Sequence, residues 1–360
     1  MTLFSPYGVY YNDSSQTITG TDSSLQVNLK LPRNFDGCNN TLKIGAYSFQ
    51  GKKIISIDLS DTVITDIYYH AFCFCSNLES IIFPKTLESL GVNAFSGTEL
   101  TEITIPEATK TLTGYSFNQN AKLDILKVDP NNQHFRAVNN FIFSYDLKML
   151  VRAPIHFEFE DIPLFNNVSG IGDKAFSGST LTRFIASSNI AYLHRDCFHA
   201  CISLDFIDLS KANISIIETR LFSQGNTLNY KTIILPMTAK VIQTNVFNAR
   251  HFKTLVIPST IEQIESGAFK DITSLKNIFV FTSKSFENPA IFSSEYSLRA
   301  KVHVSEFNAG ETFGGVKVIK DASRALLSCF INPAVVTCKP SAYQFLIQFN
   351  ILLVNIALLL

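Results

Sequence analysis

Tryptophan is absent from the 360 residues and methionine occurs only three times, so the interior must be built from something else. Net charge is absent too: thirty basic and thirty acidic side chains cancel. No sustained field would draw the chain to DNA, RNA or an anionic bilayer, and a nucleic-acid partner is not expected. The seven cysteines (Cys38, Cys73, Cys75, Cys197, Cys201, Cys329 and Cys338) are odd in number and sparse for this length. A disulfide scaffold is thereby excluded, and most of them read as free thiols. A phosphate-cradling glycine loop and the serine elbow of hydrolases are likewise missing. The start, Met1 to Tyr7, carries neither a basic region nor an apolar run, so no ordinary secretory signal is read there.

What the chain has in abundance is phenylalanine, 31 of them, and they recur. Phe49, Phe72, Phe95, Phe117, Phe176, Phe198, Phe222, Phe247 and Phe269 are spaced by 23, 23, 22, 59, 22, 24, 25 and 22 residues. An aliphatic residue stands five before each, from Ile44 and Ile67 to Ile242 and Ile264. Five or six residues after most of them a short alternating run opens, as in Leu100-Thr101-Glu102-Ile103-Thr104-Ile105-Pro106. Period-two alternation of that length predicts a strand, and proline, lacking a backbone donor, marks where a ladder would stop. The Ala-Phe pairs, such as Ala94-Phe95 and Ala268-Phe269, fit one short helical turn. A unit of about 22 residues cannot bury its apolar face alone, whereas stacked units bury a continuous column. The fold class expected is therefore mainly β with short helical turns: a solenoid of about nine coils. At about 4.8 Å per coil its length is on the order of 40 to 45 Å.

The long interval exceeds one repeat by about 37 residues. Within it Asp129-Pro130-Asn131-Asn132 reads as a turn, and Phe141-Ile142-Phe143 and Met149-Leu150-Val151 read as strands around Tyr145-Asp146, which predicts an inserted β-hairpin. The organisation expected is an N-terminal cap over 1–40, the solenoid over 41–285 with the insertion at about 129–168, capping strands over 286–322 and an apolar tail over 323–360.

The phrase Ala94-Phe95-Ser96-Gly97-Thr98-Glu99-Leu100-Thr101-Glu102-Ile103-Thr104-Ile105-Pro106 resembles the BspA-like leucine-rich repeats, found in surface antigens of oral bacteria and in protozoan proteins, those of trichomonads especially. The resemblance covers roughly residues 41 to 285. It implies adhesion at a cell surface and a protein partner from the host or the extracellular matrix. The cysteine that many copies of the family place three residues after the phenylalanine stands here only at Cys75 and Cys201.

In each main strand, the residues flanking an inward apolar position point away from the interior and stack into two columns. In the second half these columns carry Arg183, Ile185, Phe206, Asp208, Ile234, Val256 and Phe279, the candidate protein-binding face. An exposed apolar strip commonly marks a binding site. The alternatives are that β-branched residues simply suit strands, or that a flanking segment covers them. Cys75 and Cys201 lie four coils apart, too far to pair, and Cys73-x-Cys75 lacks the second pair that zinc requires. His194 and His199 around Cys197 and Cys201 could be taken for a nucleophile with its base, but the repeat explains their positions as turn slots. No catalytic residue, cofactor or metal is expected. Sequons at Asn12, Asn39, Asn167 and Asn213 matter only on a secretory route. The run from Phe345 to Leu360 falls just short of the length that spans a bilayer and is a candidate for membrane contact, or folds onto the last coil. The expected function is non-enzymatic protein binding as a surface antigen, the alternative an intracellular structural scaffold.

Overall fold

The structure is a computed structural model; it describes residues 2–4, 7–33, 42–162, 165–222, 232–247, 253–270, 272, 275–286, 288–292, 301–304 and 311–320. Two rows of parallel strands run along the rod, each broken into three sheets. The main ladder comprises Asn28–Lys30, Ser56–Asp58 and Ser80–Ile82, then Glu102–Ile105 with Ile125–Val128, then Arg183–Ile185, Phe206–Asp208, Thr232–Ile234, Thr254–Ile257, Asn277–Val280, Lys301–Val304 and Val316–Ile319. Registers match the repeat: Phe184, Ile207, Ile233, Leu255, Ile278 and Val302 are successive partners, and each points inward. The second ladder carries the aliphatic position five before each phenylalanine, as in Ile44, Ile67 and Leu90, or Ile217, Ile242 and Ile264. A three-stranded antiparallel cap, Thr2–Phe4, Val9–Asn12 and Thr17–Thr21, feeds into this ladder through Ile18 opposite Ile44.

The phenylalanine rings form the expected spine. Phe49, Phe72, Phe95 and Phe117 are fully buried and stack at centroid distances of 4.8, 5.1 and 5.8 Å. Phe176 and Phe198 stack at 5.7 Å, and Phe222, Phe247 and Phe269 at 5.5 and 5.1 Å. Burying each ring contributes about 1.5–3 kcal/mol, and each stacked pair about 0.5–1.5 kcal/mol more. The backbone is stitched at the same place: the Phe72 and Phe95 amides donate to the Ala94 and Ser116 carbonyls of the next coil at 2.8 and 2.9 Å.

The segments around each ring are short turns closed by bonds to the carbonyl three residues back, as at Ala71, Cys73 and Cys75, and Gly114–Phe117 is a 3-10 turn, in keeping with the short helical turns expected. Left-handed residues flank the ring and prevent helix propagation. Two before it stand Tyr47, His70, Asn93, Lys174, Asp196, Arg220 and Asn245, and two after it Gly51, Phe74, Gly97, Gly178 and Ala200, all at positive φ.

The insertion is a three-stranded piece. Phe135–Val138 and Phe141–Ser144 pair across the left-handed Asn139-Asn140 turn, and Phe141–Ser144 pairs with Met149–Arg152, confirming the inserted hairpin. The predicted Asp129–Asn132 turn is locked by Asn132, whose Nδ2 donates to the Pro106 and Thr109 carbonyls while its Oδ1 accepts from the His134 and Phe135 amides. The hairpin lies within the core. Ile142 and Val151 belong to the cluster of the first half, and Phe141, Phe143 and Leu150 to that of the second. Beside it, the turn at residues 114–120 rests directly on that at 173–179: the Ser177 hydroxyl donates to Asn118 at 2.9 Å, and any side chain at Gly114 would strike the Asp173 carbonyl.

Candidate functional site

The outer face of the main ladder is the surface on which the sequence places recognition, and its two halves differ. In the first half the columns are polar and open. Lys30 reaches Asp58 at 3.1 Å, Lys127 pairs with Glu102 at 2.5 Å, and Ile82 stands 54% exposed between them. Ile82, Phe83, Lys85, Thr104, Pro106 and Asp129 border a shallow groove of about 430 Å³.

In the second half Arg183, Ile185 and Phe206 remain partly accessible, and Arg183 pairs with Glu160 of the insertion. The other four do not present the exposed strip expected. Asp208 is 6% exposed, Ile234 1%, Val256 2% and Phe279 0%. Pointing away from the internal column does not make a residue exposed: Ile234, Val256 and Phe279 belong to neither internal cluster and are nonetheless buried. Apolar area gains about 25 cal/mol per Å² by leaving water, so a strip this apolar is stabilised by cover rather than by exposure. Phe279 also stacks on His303 of the next strand at 5.0 Å. Burial pushes the Asp208 carboxyl up, a tendency its hydrogen bonds from Ser210 oppose.

Cys75 and Cys201 fill one slot of the repeat. Each thiol donates at 3.0 Å to the carbonyl of the phenylalanine one coil earlier, Phe49 or Phe176, and burial pushes both up to about 11. The Cys73 and Cys197 thiols are also raised by burial. His194 is exposed; His199 is partly buried, its Nδ1 3.4 Å from the Ser177 hydroxyl. Burial, then the Lys174 ammonium, bring His199 down to about 4. Among the described residues the Cys201 thiol is hydrogen-bonded to backbone oxygens and Ser179, not to a histidine ring. Among the described residues no group of three or more His, Cys, Asp or Glu could hold a metal ion. Cys38, Cys329, Cys338 and the run Phe345 to Leu360 lie outside the described residues, and no described helix is long and apolar enough to cross a membrane.

One feature of the turn edge escaped the sequence reading. The column two before each phenylalanine forms a ladder of side chains from coil to coil. Tyr47 stacks on His70 at 5.2 Å, and His70 lies 3.4 Å from Asn93. Further along, Lys174 sits over the Tyr115 ring at 5.0 Å, and Asp196 accepts from the Tyr115 hydroxyl at 3.0 Å and from Arg220 at 3.4 Å. Burial raises the Tyr115 hydroxyl and lowers the Lys174 ammonium to about 8. The signal was the alignment itself, read two positions before the ring.

The family model of the BspA type leucine rich repeat region matches in six copies over residues 42–163 and 153–276. Among solved structures the chain is similar to the pneumococcal vaccine antigen PcpA, with 20% identity and a TM-score of 0.61 over 83% of this chain and 72% of that one. That likeness shows the fold. A leucine rich cell surface protein from Faecalibacterium prausnitzii A2-165 is 17% identical, with a TM-score of 0.48 over 77% of this chain and 94% of that one. No curated protein matches the sequence. With the repeat model covering well over half of the sequence, and the stacked phenylalanines and paired ladders it entails present in the structure, the chain belongs to the BspA type leucine-rich-repeat family.

Proposed function

We propose that this chain is a protein-binding repeat protein of the surface-antigen kind, which engages a host or extracellular-matrix protein along the open part of its outer strand face. The contact runs from Ser80 and Ile82 over Thr104 and Lys127 to Arg183, Ile185 and Phe206. The observation that carries this reading is Ile82: a half-exposed isoleucine beside a groove, on a face whose charged neighbours are paired with one another. An apolar anchor inside a polar rim is how protein interfaces concentrate their affinity. The rival reading, an intracellular scaffold, is favoured by the free thiols of Cys73, Cys75, Cys197 and Cys201, the state that a reducing compartment maintains.

Surface plasmon resonance of the full chain against purified matrix proteins tests the contact. Ile82→Asp and Phe206→Asp are each expected to weaken binding about tenfold or more while leaving the circular-dichroism spectrum unchanged. Equal affinities would move the site off this face. Protease shaving of intact cells tests the location: a chain that resists digestion until the cells are lysed would favour the scaffold.

A further inference from the structure

Arg152 ends the last strand of the insertion, where the cores of the two halves meet, and it is 0% exposed. Its Nη1 donates to the Lys174 carbonyl at 3.2 Å. Its Nε and Nη2 are buried with no hydrogen-bond partner. Those two N–H groups lie along one edge of the planar guanidinium and point the same way, the fork that grips one anion with two parallel bonds. The surroundings add positive charge rather than removing it. Lys174, 6% exposed, is near enough for the two cations to repel, while the nearby Asp196 is engaged by Tyr115 and Arg220. Among the described residues the acidic group that acts on Arg152 is the Cys201 thiol, and its proton is directed at the Phe176 carbonyl. A buried charge without a partner is among the costliest features a fold can carry, and one with two converging donors calls for a counter-ion.

We propose that Arg152 binds a small monovalent inorganic anion, a halide such as chloride, between Nε and Nη2. The full enclosure of the guanidinium requires the ligand to be small, and its charge distinguishes the ligand from a water molecule, which would fill the fork but leave the cation uncompensated. The ion would act structurally. The strand carrying Arg152 contributes Leu150 to one core cluster and Val151 to the other, so neutralising its end fixes the joint between the halves.

Thermal unfolding of the full chain at constant ionic strength, with sodium gluconate exchanged for chloride or bromide, reads the site directly. The melting temperature is expected to rise by about 3 °C as halide increases from about 1 to about 150 mM, because a ligand of the native state stabilises it by mass action. Arg152→Met should abolish that response. Bromide in crystals of the unaltered protein gives a second reading that needs no variant: an anomalous peak within hydrogen-bond distance of Nε and Nη2. A melting temperature indifferent to halide, a halide response that survives in Arg152→Met, or bromide crystals without the peak would each overturn the proposal and leave water as the occupant.

Discussion

Replacing Phe95 by alanine tests the spine at its best-packed point. The ring is 0% exposed and lies between Phe72 at 5.1 Å and Phe117 at 5.8 Å, with the edge of Phe83 at 5.6 Å. Removing a buried phenyl group costs about 3–5 kcal/mol through lost transfer energy and the cavity left behind. Two stacked pairs and one edge contact vanish with it, at about 0.5 kcal/mol or more each, which places the expectation at the upper end of that range. Neighbouring coils cannot close the gap, because their spacing is fixed by the ladders on either side. Equilibrium urea unfolding measures the loss, followed by far-ultraviolet circular dichroism and, since the chain has no tryptophan, by tyrosine fluorescence. Phe74→Ala is the control: that ring is 54% exposed, and the change should cost less than about 1 kcal/mol. A Phe95→Ala variant within about 1 kcal/mol of the parent would refute the idea that the stacked rings hold the coils together.

Phe74 occupies a left-handed slot, at φ 58°, that glycine fills at Gly51, Gly97 and Gly178. Phe74→Gly is therefore expected to raise stability by about 0.5 kcal/mol, read as an upward shift in melting temperature. His199 is held neutral in the fold, with its value lowered from 6.5 to about 4. The unfolded chain thus binds the extra proton between those values, and stability that is full above pH 6.5 is lost as the pH falls towards 4, by at most about 3 kcal/mol. His199→Asn should flatten that part of the curve of melting temperature against pH. The thiols of Cys75 and Cys201, buried and raised to about 11, should resist iodoacetamide at pH 8 in the native protein and react on unfolding in urea; prompt native labelling would contradict their hydrogen bonds to Phe49 and Phe176.

The spine and both ladders were legible in the sequence because spacing alone encodes them: an aliphatic residue five before each phenylalanine and an alternating run after it leave one way to stack. The turns were legible in part. Alanine beside phenylalanine has good helix propensity, and the signal that stops the helix after one turn, glycine or asparagine two positions away at Gly97 and Asn93, becomes visible only when the coils are aligned on the ring. The insertion was readable as strands, but its place inside the core was not. The run Phe141-Ile142-Phe143 is buried on both faces, so alternation says nothing about which core each face joins. The outer columns failed for a related reason. Period two tells which side of the strand a residue occupies, not whether that side meets water, and Ile234, Val256 and Phe279 are buried on a side the pattern marks as outward. Arg152 gave no signal, since its neighbours come from coils 22 and 49 residues away.

The coil-on-coil stack fixes the distance between equivalent outer positions. Between Glu79 and Lys276 successive coils are joined at Leu78 and Glu99, Thr101 and Asp124, Leu123 and Ile155, Ile155 and Thr180, Thr182 and Asp205, Asp205 and Thr232, Thr232 and Thr254, and Lys253 and Lys276. That path is about eight steps, or about 38 Å at about 4.8 Å per step. Spin labels at Glu79→Cys and Lys276→Cys, both exposed, measured by double electron–electron resonance, should give one narrow distribution near that value, slightly shorter if the rod curves towards this face. A distance below about 25 Å, or a broad distribution without a peak, would contradict the continuous solenoid.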